Sequence, residues 1–284
     1  LNLGINDEIV KGLANIMGDD RPAHDAYRRF LQIYSQVVLE ADAGEFEEIL
    51  ARYKERAGVS MDYELNPQHL QGVISEFKDT VLRATGSQVP GDPWQQLMAA
   101  VEAVFRSWNT PRAVFYRNLN RISHDIGTAV TIMPIVFGNL GPTSGSGVLF
   151  TRDPSTGVNQ LFGEFLSNAQ GEDVVAGVRT PQKLSGLSEV VPQAAQELFD
   201  LSRELESHYR DVQDVEFTIE NGRLFILQTR SAKRTPLAAV KTAVDMVNEG
   251  MISREEALRR VDPEEIVQLL VPQFRTDITS EDVQ

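Results

Sequence analysis

Asp214 and Glu216 stand in Asp214-Val-Glu-Phe-Thr-Ile-Glu220, a run that alternates polar and apolar residues. In a strand this puts both carboxylates on one face and Val215, Phe217 and Ile219 on the other. Asn221-Gly222 turns the chain, and Leu224 to Arg230 returns as the partner strand. Two registers compete. A two-residue turn sets Glu216 opposite Leu227 and leaves Gln228 on the buried face, whereas a loop one residue longer sets Glu216 opposite Gln228 and Asp214 near Arg230. The longer loop also matches Phe217 with Leu227 and Ile219 with Phe225, so the hydrophobic pattern favours it. Asp214, Glu216, Gln228 and Arg230 then form one polar constellation. Paired oxygen ligands on rigid strands suit Mg²⁺, which takes one or two protein carboxylates and completes its shell with water and phosphate oxygens. The neighbouring arginine can neutralise a transferring phosphoryl group. A solvent-facing strand with an ordinary Glu/Arg cross-strand pair has the same spacing, and composition does not separate the two.

A second candidate is the loop Gly138-Asn-Leu-Gly-Pro-Thr-Ser-Gly-Ser-Gly147, leading into a strand Val148 to Arg152. Glycines let backbone N–H groups approach an anion, and the hydroxyls add donors. The loop lacks the Lys-Ser/Thr of a Walker sequence and does not fit the dinucleotide-binding glycine spacing. A flexible hairpin loop has the same composition.

These residues need a scaffold, and the fold class expected is α+β. Roughly the first hundred residues carry helical periodicity with almost no strand pattern. One helix starts at Asn66 as N-cap with Pro67 at its first position, aligns Leu70, Val73, Ile74, Phe77, Val81 and Leu82, and stops near Gly86. Another runs from Asp92-Pro93 through Leu97, Val101, Val104, Phe105 and Trp108, with Pro111 marking its end or a kink. From Gly127 the character changes. Strands are expected at 128–137, 147–152, 161–165, 214–220 and 223–229. After Arg234 helical signals return: Gly250 as C-cap, Ser253 with Glu256 and Asp262-Pro263 with Glu265 as capping boxes, and Pro272 closing the last helix.

The totals narrow the classes. At 284 residues and 42% hydrophobic content, the chain can bury a real core as one large or two modest domains. No apolar run approaches the ~20 residues of a membrane span, and Leu1-Asn-Leu-Gly4 has no targeting character, so a cytoplasmic address is expected. A formal charge of -14 argues against nucleic-acid binding, which needs a basic face. The acidic residues interleave with Lys and Arg, as around Glu45 to Glu55, in the manner of solvated helix surfaces. Without cysteine there are no disulfides and no thiolate chemistry.

Gly145-Ser-Gly-Val-Leu-Phe-Thr-Arg-Asp-Pro-Ser-Thr-Gly157 and Gly163-Glu-Phe-Leu-Ser-Asn-Ala-Gln-Gly-Glu-Asp-Val-Val-Ala-Gly-Val-Arg-Thr-Pro-Gln182 resemble the pyruvate, phosphate dikinase family. Asp211 to Glu220 and Leu227-Gln-Thr-Arg230 are similar to its metal and phosphate motif, which the related phosphoenolpyruvate synthases share. Tyr27-Arg-Arg-Phe30, Ala103 to Ala113 and Gly127-Thr-Ala-Val130 resemble its helical insertion, and Glu249-Gly-Met-Ile252 its helical linker. The resemblance implies an ATP-grasp fold with a large helical insertion at 1–126, a nucleotide-binding subdomain at 127–234 and a helical linker at 235–284. It implies ATP and Mg²⁺ as cofactors, in a reaction of ATP with phosphate and pyruvate giving AMP, pyrophosphate and phosphoenolpyruvate by way of a histidine on a swivelling domain.

Carried over by position, Asp214 and Glu216 would hold Mg²⁺, and Gln228 and Arg230 would contact the polyphosphate as the catalytic pair. Ser146 and Gly147 would be loop contacts to phosphate, Glu172 and Asp173 would lie at the adenosine end, Pro134 to Phe137 would offer backbone to adenine, and Arg29 would reach in from the helical insertion. The partners implied are the phosphohistidine and pyruvate-binding domains, in a homo-oligomeric whole. The resemblance begins mid-domain, so the upstream segment supplying a lysine and an arginine to ATP is expected outside this chain. His24, His69, His124 and His208 lack the Thr-Ser-His context of the phosphorylated histidine. This chain alone is therefore not expected to run the full reaction. A phosphoenolpyruvate synthase-like or antibiotic-phosphorylating relative, and a non-catalytic interaction module on the same fold, are the alternatives.

Overall fold

A computed structural model describes residues 1–175 and 179–270. The chain divides into two compact units, Leu1–Ile135 and Val136–Gln284.

The first unit is helical: α1 (Ile9–Met17), α2 (Asp20–Val37), α3 (Ala43–Ala57), α4 (Pro67–Thr85), α5 (Pro93–Ser107) and α6 (Pro111–Leu119). Asn66 caps α4 by accepting from the His69 amide at 2.9 Å, and Gly86 ends it in the left-handed region at φ +71°. Leu70, Val73, Ile74, Phe77 and Val81 are buried as expected, but Leu82 is exposed. It sits at the edge of the stripe. α2 packs against α1 and α4, and Phe46 meets Phe77 edge-on at 4.9 Å. In α5 the expected stripe is displaced: Gln96, Ala100 and Ala103 are buried, while Phe105 is half exposed. The reason is local. The Gln96 amide accepts from the Gly4 N–H at 2.7 Å and donates to the carbonyls of Ile5 and Pro90, so a polar residue with small neighbours wins the inner face. Pro111 neither ends nor kinks α5, which stops at Ser107; it opens α6, with Thr110 as N-cap.

The expected strand at 128–137 does not form; that stretch is irregular, and its residues are mostly exposed. β-branched composition makes a strand only where a ladder partner exists.

The second unit contains β1 (Gly145–Phe150), β2 (Phe162–Ser167), α7 (Gly171–Val175), β3 (Gln182–Lys183), α8 (Leu187–Val190), α9 (Pro192–Tyr209), β4 (Gln213–Glu220), β5 (Arg223–Ser231), α10 (Pro236–Asn248), α11 (Arg254–Arg260) and α12 (Pro263–Leu269). The strands form a 5-stranded sheet in the order β3-β2-β1-β4-β5, and its ladders are antiparallel. Leu149, Phe165, Val215, Phe217, Ile219 and Leu224 point to one side and pack with Leu184, Leu187, Ala195 and Leu198. Alternation sends Ser146, Asp214, Glu216 and Thr218 to the other side. Gly250 has φ +74°, just past α10. Ser253 caps α11 by accepting from the Glu256 amide, while the Glu256 carboxylate turns instead to Arg210 and Arg260, so only half of the expected box forms. Pro272 lies outside the described residues.

Candidate functional site

The β4–β5 hairpin resolves the register question in an unforeseen way. The turn is the short one, Asn221-Gly222 with φ +49° and +82°, and Ile219 faces Leu224 while Phe217 faces Ile226. A β-bulge between Glu216 and Phe217 then takes up Leu227, so that beyond it Glu216 faces Gln228 and Asp214 faces Arg230. The expected longer loop and its Phe217–Leu227 and Ile219–Phe225 pairs are therefore corrected. The polar pairing survives because the bulge supplies the extra residue on the strand.

Arg230 Nε donates to Asp214 Oδ2 at 2.8 Å, and its Nη2 lies 3.6 Å from Glu216 Oε1. The hydrogen bond and charge of Asp214, with a smaller contribution from Glu216, hold the guanidinium above its ordinary pKa. The Asp214 side chain is 11% exposed, Glu216 40% and Arg230 57%. The arginine thus anchors through one nitrogen and keeps donor edges open to solvent. Among the described residues no three His, Cys, Asp or Glu side chains form a metal cage. Two carboxylates with a neighbouring amide carbonyl are nonetheless a donor set that suits a hard cation keeping most of its own water.

Ser146 and Gly147, expected in a loop, lie in the central strand β1, paired with both β2 and β4. Ser146 is buried, its hydroxyl 3.0 Å from that of Thr218. At Gly147 a Cβ would stand 2.5 Å from the Phe217 ring and 2.6 Å from the Glu164 carbonyl, which explains the glycine by close packing. The loop before them is pinned. Gly138 accepts from the Ala169 amide, Asn139 from the Gln170 side chain, and Gly141 donates to Asn168 Oδ1 at 3.0 Å. It is no hairpin loop. Asn168, at φ +49°, is one of the few side-chain-bearing residues that tolerate this region. The Phe137 amide donates to Glu220 Oε2 at 2.7 Å, so this amide of the expected adenine segment is already engaged.

Glu172 and Asp173 begin the short α7, where Asp173 accepts from the Gln170 amide. Arg29 belongs to the helical unit. Its Nε donates to Asp25, which is buried and also held by Arg28 and Arg21. Burial alone would raise the Asp25 pKa, but these guanidinium groups drive it far below the usual carboxylate range.

Arg152 is not singled out by its neighbours in sequence, because its partners lie 54 and 97 residues away. It is fully buried and binds both oxygens of Glu206, Nε to Oε1 at 2.9 Å and Nη2 to Oε2 at 3.0 Å; Nη1 reaches Glu249 at 3.0 Å. Thr151 adds a hydroxyl donor to Glu206 at 2.8 Å. Burial opposes the Arg152 charge, yet the Glu249 and Glu206 hydrogen bonds leave its pKa raised, and the same contact lowers that of Glu249. This network ties the segment just after β1 to α9 and to the C-cap of α10. Its only sequence signal is an arginine two residues past the end of a buried strand.

The model of the family described as pyruvate phosphate dikinase, AMP/ATP-binding domain, matches residues 2–191 and 186–251. Pyruvate, phosphate dikinase of Clostridium symbiosum is 51% identical over 96% of this chain and 32% of its own length. Pyruvate, phosphate dikinase 2 of Zea mays is 50% identical over 96% of the chain and 31% of its own length, and the Rhizobium meliloti enzyme 50% over 96% and 32%. The chain spans about a third of the length of these curated relatives. With the match running through the glycine-rich loop and the bulged hairpin, this chain belongs to the pyruvate phosphate dikinase AMP/ATP-binding domain family.

Proposed function

We propose that the chain is the nucleotide-binding portion of a pyruvate, phosphate dikinase with an ATP-grasp fold, and that the polar side of its sheet takes Mg-ATP. The observation that carries this reading is the Asp214, Glu216, Gln228 and Arg230 constellation, brought onto one face by the bulge at Leu227. Asp214 and Glu216 would hold Mg²⁺, which when bound would offset the charge of the phosphate groups. Arg230 keeps Nε on Asp214 and turns its open donors to the polyphosphate, with Gln228 beside it. Ser146 and Gly147 contribute as the buried footing of the glycine-rich loop, and the loop's backbone approaches the phosphates. Glu172 and Asp173 serve the adenosine end. The parts assigned are insertion 1–126, nucleotide subdomain 127–234 and linker 235–284.

In the whole protein the phosphoryl group passes to a histidine on a separate domain and then to pyruvate, and the assembly is homo-oligomeric. The address proposed is cytoplasmic; separately, among the described residues no helix is long and apolar enough to cross a membrane.

Titration calorimetry with Mg-ATP tests the site. The chain is expected to bind, and Arg230→Ala to weaken binding by roughly 10- to 100-fold, the scale of a hydrogen bond to a charged group. Glu216→Ala and Gln228→Ala should weaken it less. Binding unchanged in all three variants would place the site elsewhere.

A further inference from the structure

We propose that Ser144 is a positioning residue that clasps the glycine-rich loop to the tip of the β4–β5 hairpin and so sets the spacing between the two halves of the nucleotide site. The proposal rests on the Mg-ATP reading above. Ser144 is buried, and all three of its polar atoms are committed. Its N–H donates to the Gly141 carbonyl at 3.1 Å, closing the loop's last turn, and its carbonyl accepts from the Asn168 amide at 2.7 Å. Its hydroxyl oxygen accepts from the Asn221 amide at 2.9 Å, and next to it the Thr143 carbonyl accepts from the Gly222 amide at 2.9 Å.

The last two bonds join segments far apart in sequence at the places each is least supported. The hairpin's turn has no strand beyond it, and the loop has no ladder of its own before Gly145. Asp214 and Glu216 ride on one arm of that hairpin, Gln228 and Arg230 on the other. A polyphosphate seated between them and the loop backbone needs both at fixed separation, because misplacement by a fraction of a bond length lowers the gain from every charged contact together. The Ser144 hydroxyl accepts from a backbone amide, so its part is spacing.

The test combines Mg-ATP calorimetry with site-resolved amide hydrogen exchange on the chain and on Ser144→Ala, Ser144→Thr and Arg230→Ala. Losing one accepted hydrogen bond should weaken Mg-ATP binding about five- to tenfold in Ser144→Ala. Exchange at Asn221, Gly222 and residues 139–144 should accelerate by a similar factor, with α9 unaffected. Ser144→Thr, which keeps the hydroxyl, should restore both. Should Ser144→Ala fail to fold, Ser144→Cys keeps the shape with a weaker acceptor and is expected to fall between. The proposal is overturned if exchange at Asn221 and Gly222 is unchanged. It is overturned equally if Ser144→Ala binds as the parent does while Arg230→Ala is weakened. If Arg230→Ala also binds as the parent does, the nucleotide-site reading itself fails and takes this proposal with it.

Discussion

Replacing Arg152 by alanine should unfold the sheet unit far more readily than replacing Glu216, Gln228 or Arg230 on the nucleotide face. The side chain is 0% exposed, and its partner Glu206 only 9%. Removing the guanidinium leaves the Glu206 carboxylate buried with one hydroxyl donor, Thr151. Breaking a buried pair from one side costs about 3–5 kcal/mol. The Glu249 side chain is 34% exposed and can rehydrate, so its contact adds no more than ~1 kcal/mol. In a domain of this size the total lowers the melting temperature by roughly 6–24 °C.

Urea denaturation followed by circular dichroism measures the change directly, with Glu249→Ala as the mild control. The decisive comparison is the double variant Arg152→Met with Glu206→Leu, which removes both charges and keeps apolar volume. It should be more stable than Arg152→Ala, since no charge is stranded. A loss below about 1 kcal/mol in Arg152→Ala would refute the reasoning. So would a double variant as unstable as the single one, because the penalty would then come from lost packing.

Gly147→Ala should destabilise the sheet by about 1–3 kcal/mol or abolish folding, because the new methyl meets the Phe217 ring on one side and the Glu164 carbonyl on the other; an unchanged urea midpoint would contradict the packing described. Acid should act in a defined window. Asp25 and Glu249 both have folded pKa values below their ordinary 3.8 and 4.5, so their stabilisation is complete above those values. It declines as the pH drops beneath them and is lost only when the pH passes through the depressed folded values. Urea midpoints should thus hold from neutral pH down to about 4.5 and fall below it, and Asp25→Asn should flatten that fall in the helical unit.

Much of this fold could be read from residue types. Asn66-Pro67 and Gly86 bound a helix because a side-chain acceptor, a fixed φ and a left-handed glycine are local properties. Asp214 and Glu216 announce a shared face through alternation alone. What escaped depends on partners distant in sequence. The stretch 128–137 has strand composition but no ladder, and α5 turns Gln96 inward because Gly4, Ile5 and Pro90 need its amide. Arg152 and Ser144 gain their importance from Glu206 and Asn221, and nothing near them in sequence predicts either contact.

The bulge at Leu227 means that the polar face is specified by a count of residues as much as by their kinds. Deleting this one leucine would close the bulge into a regular ladder, with Gln228 still opposite Glu216 and Arg230 opposite Asp214, whereas deleting Thr229 would carry Arg230 to the helix-covered side without altering a single functional side chain. Deletion at 227 is therefore tolerable where deletion at 229 is not. In a library of single-residue deletions the intolerant spot should fall on Thr229, which faces Val215 and would touch neither metal nor phosphate.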